Sequence, residues 1–351
     1  MRFFALALSL LGALAFSSPI DKAVDLKFTS AGITLVGTLY EPDGPGPYPV
    51  IVSVQGSGPV VRSSSFYQAD RRMFVPHGFA VFLWDKRGCG ASGGQFNDTE
   101  AFSVLASDVV AAVGAMKSRP EIDPKRIVVK GLSQGAWIAP LAATLCPDIS
   151  GVICIGGGGV SVLDQMIYIR GQMLLDSGLT FDEVQHVNGL RRKVWQYYQT
   201  GKGYDEAKAD WQAASKEPWF AKAGWKGDLA TPEDVKDPQY DFFRNYTTYD
   251  PAPVLSRLHV PVIALFGTLD RFGPPAESVA GWQSAIEGGH LTDATVRIFA
   301  NAGHAINVMP NGFEKVLVGP EHEQKMKEMK VEFIPGFEDY LVGWVKARFL
   351  R

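Results

Sequence analysis

Two segments of the chain share a five-residue pattern with serine at its centre. Gly131-Leu-Ser-Gln-Gly135 surrounds Ser133, and Gly90-Ala-Ser-Gly-Gly94 surrounds Ser92. Gly-x-Ser-x-Gly suits a nucleophile carried on a sharp strand-to-helix turn, where side chains two places either side would crowd the backbone. A serine hydroxyl is inert near neutral pH unless a base takes its proton, and that base needs an acid to orient it. On such a turn the partners follow in the order Ser, then Asp or Glu, then His. The chemistry to look for is therefore acyl transfer through a serine, with two backbone N–H groups to hold the developing oxyanion.

The flanking residues separate the two serines. Arg126–Lys130, "RIVVK", reads as a strand running directly into Gly131, and "GAWIAPLAATL" continues as a helix. Ser92 lacks both: its strand "FAVFLW" ends at Trp84, and "GGQFND" after it is turn chemistry. Ser133 is the expected nucleophile and Ser92 a loop serine. Among six histidines, only His304 directly follows a strand-like run, "TVRIFANAGH". His290 precedes that strand and His322 lies in a charged helical stretch, so His304 is the expected base. Asp270 stands just past the run "PVIALFGTLD" and is the expected orienting acid; its rival Asp250 precedes that strand and suits a helix start beside Pro251. The oxyanion donors expected are the N–H of Gln134, next to the nucleophile, and that of Ser57 in the loop "QGSGP", with Gly58 the second choice there.

These residues need a scaffold that brings several strand ends together. "AVDLKFTSAGITLVGTLYEP" alternates as an antiparallel pair. Short apolar runs that suit strands buried on both faces then alternate with helical patterns, such as Phe102, Leu105, Val109, Val113 and Met116 on one face. The expectation is an α/β fold with a mostly parallel, doubly wound sheet. Residues 161–250 break the rhythm: they are helix-prone, charged and rich in aromatics. They read as a helical cap between two parts of the core, residues 19–160 and 251–351, with some aromatics roofing a pocket over the strand ends.

Bulk properties narrow the function further. The chain has 351 residues, 46% hydrophobic and 20% charged, with net charge −3, so no basic field is present to hold nucleic acid. Residues 1–18 have one Arg, an apolar run from Phe3 to Phe16 and small residues after it, the layout of a secretory signal peptide. The run is shorter than a comfortable membrane span, which takes about 20 residues. The expectation is an exported protein with no stable span in its mature chain. Cys89, Cys146 and Cys154 make no disulfide framework and no zinc spacing.

With these residues placed, the chain resembles the α/β-hydrolase superfamily over nearly all of its mature length. More narrowly it is similar to bacterial esterases and serine-peptidase-like hydrolases with a His-Gly-Ser-Gly-Pro oxyanion loop, an Asp-x-Arg-Gly-x-Gly-x-Ser loop and a Tyr-Asp-Pro segment after a cap. The last two match Asp85–Ser92 and Tyr249-Asp250-Pro251. Gln55 stands where the first motif has His. The resemblance implies a carboxylesterase acting on small to medium acyl esters, with no cofactor and no metal. A peptidase or amidase of the same fold and a noncatalytic binding protein are the competing readings.

Overall fold

The computed structural model describes residues 22–289, 291–309 and 331–350. Residues 1–18, with the leader read there, and His290 and His322 lie outside them. Eight strands form one sheet: β1 (Lys22–Ser30), β2 (Ile33–Glu41), β3 (Tyr48–Val54), β4 (Ala80–Trp84), β5 (Ile122–Leu132), β6 (Ile149–Ile155), β7 (Val262–Gly267) and β8 (Ala294–Phe299). Their order is β1-β2-β4-β3-β5-β6-β7-β8. The hairpin β1–β2 joins the sheet antiparallel to β4, and every pairing from β4 through β8 is parallel. This is the α/β-hydrolase fold, a mostly parallel doubly wound sheet, as the alternation of patterns predicts.

Strand residues divide between two layers with period two, because successive side chains leave a strand on opposite faces. Val50, Val52 and Val54 of β3 and Val262, Ala264 and Phe266 of β7 face one layer. That layer holds α2 (Phe102–Lys117), α3 (Gly135–Leu145) and Trp282 of α9 (Pro275–Glu287). Ile51, Ile153, Ile155, Ile263 and Leu265 face the other layer, formed by α1 (Ser65–Phe74) and the last helix, α10 (Phe337–Phe349). Burial on both sides explains the unbroken apolar runs. Each fully buried aliphatic side chain contributes roughly 1.5–3 kcal/mol.

Between β6 and β7 the chain forms α4 (Val162–Asp176), α5 (Phe181–Thr200), α6 (Tyr204–Ala214), α7 (Pro218–Lys222), three short turns from Asp234 to Tyr246, and α8 (Ala252–Leu255). A capping box starts α5, in which Thr180 and Glu183 each bond the other's backbone N–H. The aromatics here pack largely on one another. Tyr197, Trp211 and Phe220 form the centre of a separate small core, with Trp195, Tyr198, Trp219 and Trp225 against it. Asp250 accepts the Ala252 N–H at 3.0 Å, starting α8.

Candidate active site

Strand β5 runs into the turn at Ser133, and α3 leaves from it. Ser133 has φ +56°, a left-handed conformation that side chains other than glycine rarely adopt. Such a conformation costs on the order of 1–3 kcal/mol and persists only where the surroundings impose it. Here they do. A Cβ on Gly131 would overlap the Gly135 carbonyl, and one on Gly135 would press on Val54 O, so the turn closes only with glycine at both places.

Beneath the turn, Lys130 Nζ lies 2.7 Å from Asp70 Oδ1, with the two side chains 6% and 1% exposed. Ser53 Oγ donates to the other Asp70 oxygen at 2.7 Å. A buried charge pair that also carries a hydrogen bond is tolerated, whereas either ion alone would not be. It ties β3, β5 and α1 together directly behind the serine.

Asp270 follows β7 and His304 follows β8. His304 Nδ1 and Asp270 Oδ2 are 2.8 Å apart. Asp270 is 2% exposed, and its other oxygen accepts the N–H groups of Phe272 and Gly273 at 2.8 and 2.9 Å. Its backbone carbonyl accepts Tyr168 Oη from α4 at 2.9 Å. With Nδ1 committed to the carboxylate, Nε2 is the ring atom left to accept a proton, and it has no hydrogen-bond partner among the described residues. Gly156 and Gly157, which follow β6, lie against His304 and Ser133 respectively. A Cβ on Gly156 would come within 2.9 Å of His304 Nδ1, and one on Gly157 within 2.8 Å of Ser133 O. No hydrogen bond joins Ser133 Oγ to His304 Nε2; such bonds are often open before substrate arrives.

The loop after β3 closes the site on the other side. Gly56 N–H is spent on Tyr67 Oη at 2.6 Å and Gly58 N–H on Asp98 Oδ1 at 3.0 Å. Ser57 N–H between them bonds none of the described residues, nor does Gln134 N–H at the head of α3. Gln55, standing where similar loops have His, reaches across to donate to Trp84 O at 2.6 Å and pins the loop to the end of β4.

Ser92 occupies a loop, and its hydroxyl is consumed there. It donates to Asp85 O at 2.6 Å and accepts Val36 N–H at 2.9 Å. Asp85 gathers the same loop by accepting Arg62 and Ala91 N–H groups at 2.8 and 2.9 Å. The following Arg87 forks onto Asp108 at 2.7 and 2.6 Å.

Two further side chains meet at the site: Lys86 fills an unspecified position of the Asp85–Ser92 pattern, and Tyr246 belongs to no motif. Lys86 Nζ donates to Gly56 O at 2.9 Å and to Gln134 Oε1 at 2.8 Å. Gln134 Nε2 in turn donates to Tyr246 Oη at 2.9 Å. Tyr246 is in the segment between β6 and β7, where its ring stacks on Phe102 and Phe242. A lysine two residues beyond an all-apolar strand is the signal that flags Lys86. Nothing in the pattern of the aromatics distinguishes Tyr246 from its neighbours. Among the described residues there is no metal-ligating cluster, and no helix is long and apolar enough to cross a membrane.

Residues 49–308 match the family described as serine aminopeptidase, S33. The chain belongs to that family of hydrolases. Its members' fold is seen again in solved structures. An α/β hydrolase, GrgF from Penicillium sp. sh18, superposes with TM-score 0.56 at 17% identity, covering 94% of this chain and 100% of that one. The Pyrococcus furiosus esterase Pf2001 does so with TM-score 0.53 at 14% identity, covering 94% of each. Two relatives match in sequence over shorter stretches. The quorum-quenching protein AidA of Acinetobacter baumannii is 32% identical over 112 residues, 32% of this chain and 36% of its own. The esterase FrsA of Escherichia coli is 29% identical over 133 residues, 37% of this chain and 31% of its own. The chain thus spans about a third of the length of these two relatives.

Proposed function

We propose that this family member is a serine esterase that cleaves carboxylic esters of small to medium acyl groups through Ser133, His304 and Asp270. The observation that carries the reading is Ser133 held at φ +56° between strand and helix, beside a His304–Asp270 pair at 2.8 Å. Ser133 Oγ attacks the ester carbonyl as His304 Nε2 takes its proton. The N–H groups of Ser57 and Gln134 hold the tetrahedral oxyanion. The carbonyl re-forms, the alcohol leaves with the proton from His304, and water repeats the sequence to release the acid. Asp270 holds the imidazole in the tautomer that leaves Nε2 free to accept. Residues 161–250 act as a cap over the strand ends, supported by the bonds of Tyr168 to Asp270 O and of Gln134 to Tyr246. The export read from residues 1–18 belongs to the same proposal.

Amide cleavage uses the same machinery, and the family's description as an aminopeptidase favours it as the second reading. A matched panel decides between them: p-nitrophenyl esters of two to twelve carbons against p-nitroanilides of the same acyl groups and of amino acids. The ester reading expects kcat/KM to be larger for esters at every acyl length. An aminoacyl p-nitroanilide turned over faster than any ester overturns it.

A further inference from the structure

Lys86 is 3% exposed, yet no carboxylate among the described residues is bonded to it. Burying an ammonium is costly unless its hydrogen bonds are well placed. Two of its three protons go to groups that matter to the site, Gly56 O and Gln134 Oε1, at 2.9 and 2.8 Å. Gly56 O and Ser57 N–H belong to one peptide unit, and that unit is trans. Carbonyl and N–H of a trans peptide point in opposite directions. An ammonium clamped on the carbonyl therefore fixes where the N–H points. It also withdraws electron density through the amide, which makes that N–H a stronger donor. Gln134 supplies the other unspent N–H. One cation thus touches both halves of the oxyanion hole from behind, without reaching the substrate.

We propose that Lys86 is the positioning residue of the oxyanion hole, and that Ser133 reacts fully only while Lys86 is charged. The proposal rests on the serine-hydrolase reading above and adds a charge requirement that the reading does not contain. Burial lowers the Lys86 pKa from its ordinary value to about 8, with Asp98 and Cys89 opposing. Burial raises Cys89 above the usual thiol range, and Tyr246 is pushed up to about 12. Tyr67, behind Gly56, is pushed up as well. Asp85 and Arg87, its chain neighbours, are held by Arg62 and Asp108. The Phe96 ring lies 5.9 Å from Nζ. Reactivity should therefore fall as pH rises through about 8.

The test uses a p-nitrophenyl alkylphosphonate, which reports on Ser133 whether the natural bond is ester or amide. Ser133 Oγ bonds to phosphorus, p-nitrophenolate leaves with its electron pair, and the serine proton passes to His304. The second-order labelling rate is followed from pH 6 to 10.5 in the full chain. Wild type should lose rate through an alkaline limb near pH 8. Lys86→Met should label about 10- to 100-fold more slowly at pH 7, within the range for weakening an oxyanion donor, and should lack that limb. Lys86→Arg keeps a cation that stays charged across this pH range, so it too should lack the limb while recovering much of the rate. If Lys86→Met does not fold, Lys86→Arg alone decides. A limb near pH 8 in either folded variant overturns the proposal, as does a Lys86→Met rate within twofold of wild type at pH 7. Wild-type protein that never labels, or that labels away from Ser133, overturns both this proposal and the serine-hydrolase reading. Wild type labelled at Ser133, with Lys86 variants indistinguishable from it, overturns this one alone.

Discussion

Ser133 and Ser92 stand in the same five-residue pattern, and their hydroxyls are used in opposite ways. Ser133 Oγ bonds none of the described residues, while Ser92 Oγ joins Asp85 O to Val36 N–H across two parts of the fold. Substitution should separate them cleanly. Ser133→Ala should cut turnover of p-nitrophenyl acetate by a factor on the order of 10⁴ or more and leave the melting temperature unchanged or higher. Ser92→Ala should keep turnover within about threefold but lose about 1–2 kcal/mol in urea unfolding, because two hydrogen bonds go with it. A Ser133→Ala protein that still turns over ester, or a dead Ser92→Ala protein of normal stability, would reverse the assignment. The sequence could make this distinction because it turns on neighbours: an apolar strand before, a helix after. Lys86 is different. Its importance comes from a carbonyl thirty residues earlier and an amide forty-eight residues later, which no local pattern joins.

Elements position the serine as much as its own turn does. The Asp70–Lys130 pair and Ser53 bind α1, β5 and β3 immediately behind it. Neither charge is legible in the sequence, because a Lys closing an apolar strand and an Asp inside an amphipathic helix look like surface residues until the sheet is assembled. Asp70→Ala should destabilise the protein by about 3–5 kcal/mol, since it strands the Lys130 ammonium in the interior. The double change Asp70→Ala with Lys130→Met should recover much of that loss, which chemical denaturation would read directly. If the single change costs under ~1 kcal/mol, the pair is not the brace described here. The helices between β6 and β7 show the complementary limit of sequence reading. Their helical character is legible from composition. Which aromatics meet the core and which build a private cluster depends on three-dimensional packing. Tyr246 reaches Gln134, while Trp211 and Phe220 pack into the separate small core of this segment.

At the scale of the whole molecule, tyrosine burial sets a limit on alkaline stability. Tyr168, Tyr197 and Tyr246 are all pushed up to about 12, with burial the leading cause. The unfolded chain loses these protons near pH 10 while the folded chain keeps them. Between about pH 10 and 12 the folded state therefore binds more protons, and stability falls as pH rises. Thermal unfolding followed at each pH, with phenolate absorbance recorded alongside, should show a melting temperature that drops through this window. Phenolate should appear together with unfolding. Full phenolate absorbance in a protein still folded at pH 11 would contradict that picture. The segment from α4 to α8 has a further consequence. It leaves the sheet at the end of β6 and returns at β7, its immediate parallel neighbour, and it carries its own hydrophobic centre. A segment so inserted can drift, lengthen or be exchanged between relatives while the strand ends keep their spacing. Chimaeras cut near residues 160 and 250 would be the natural place to look for that history.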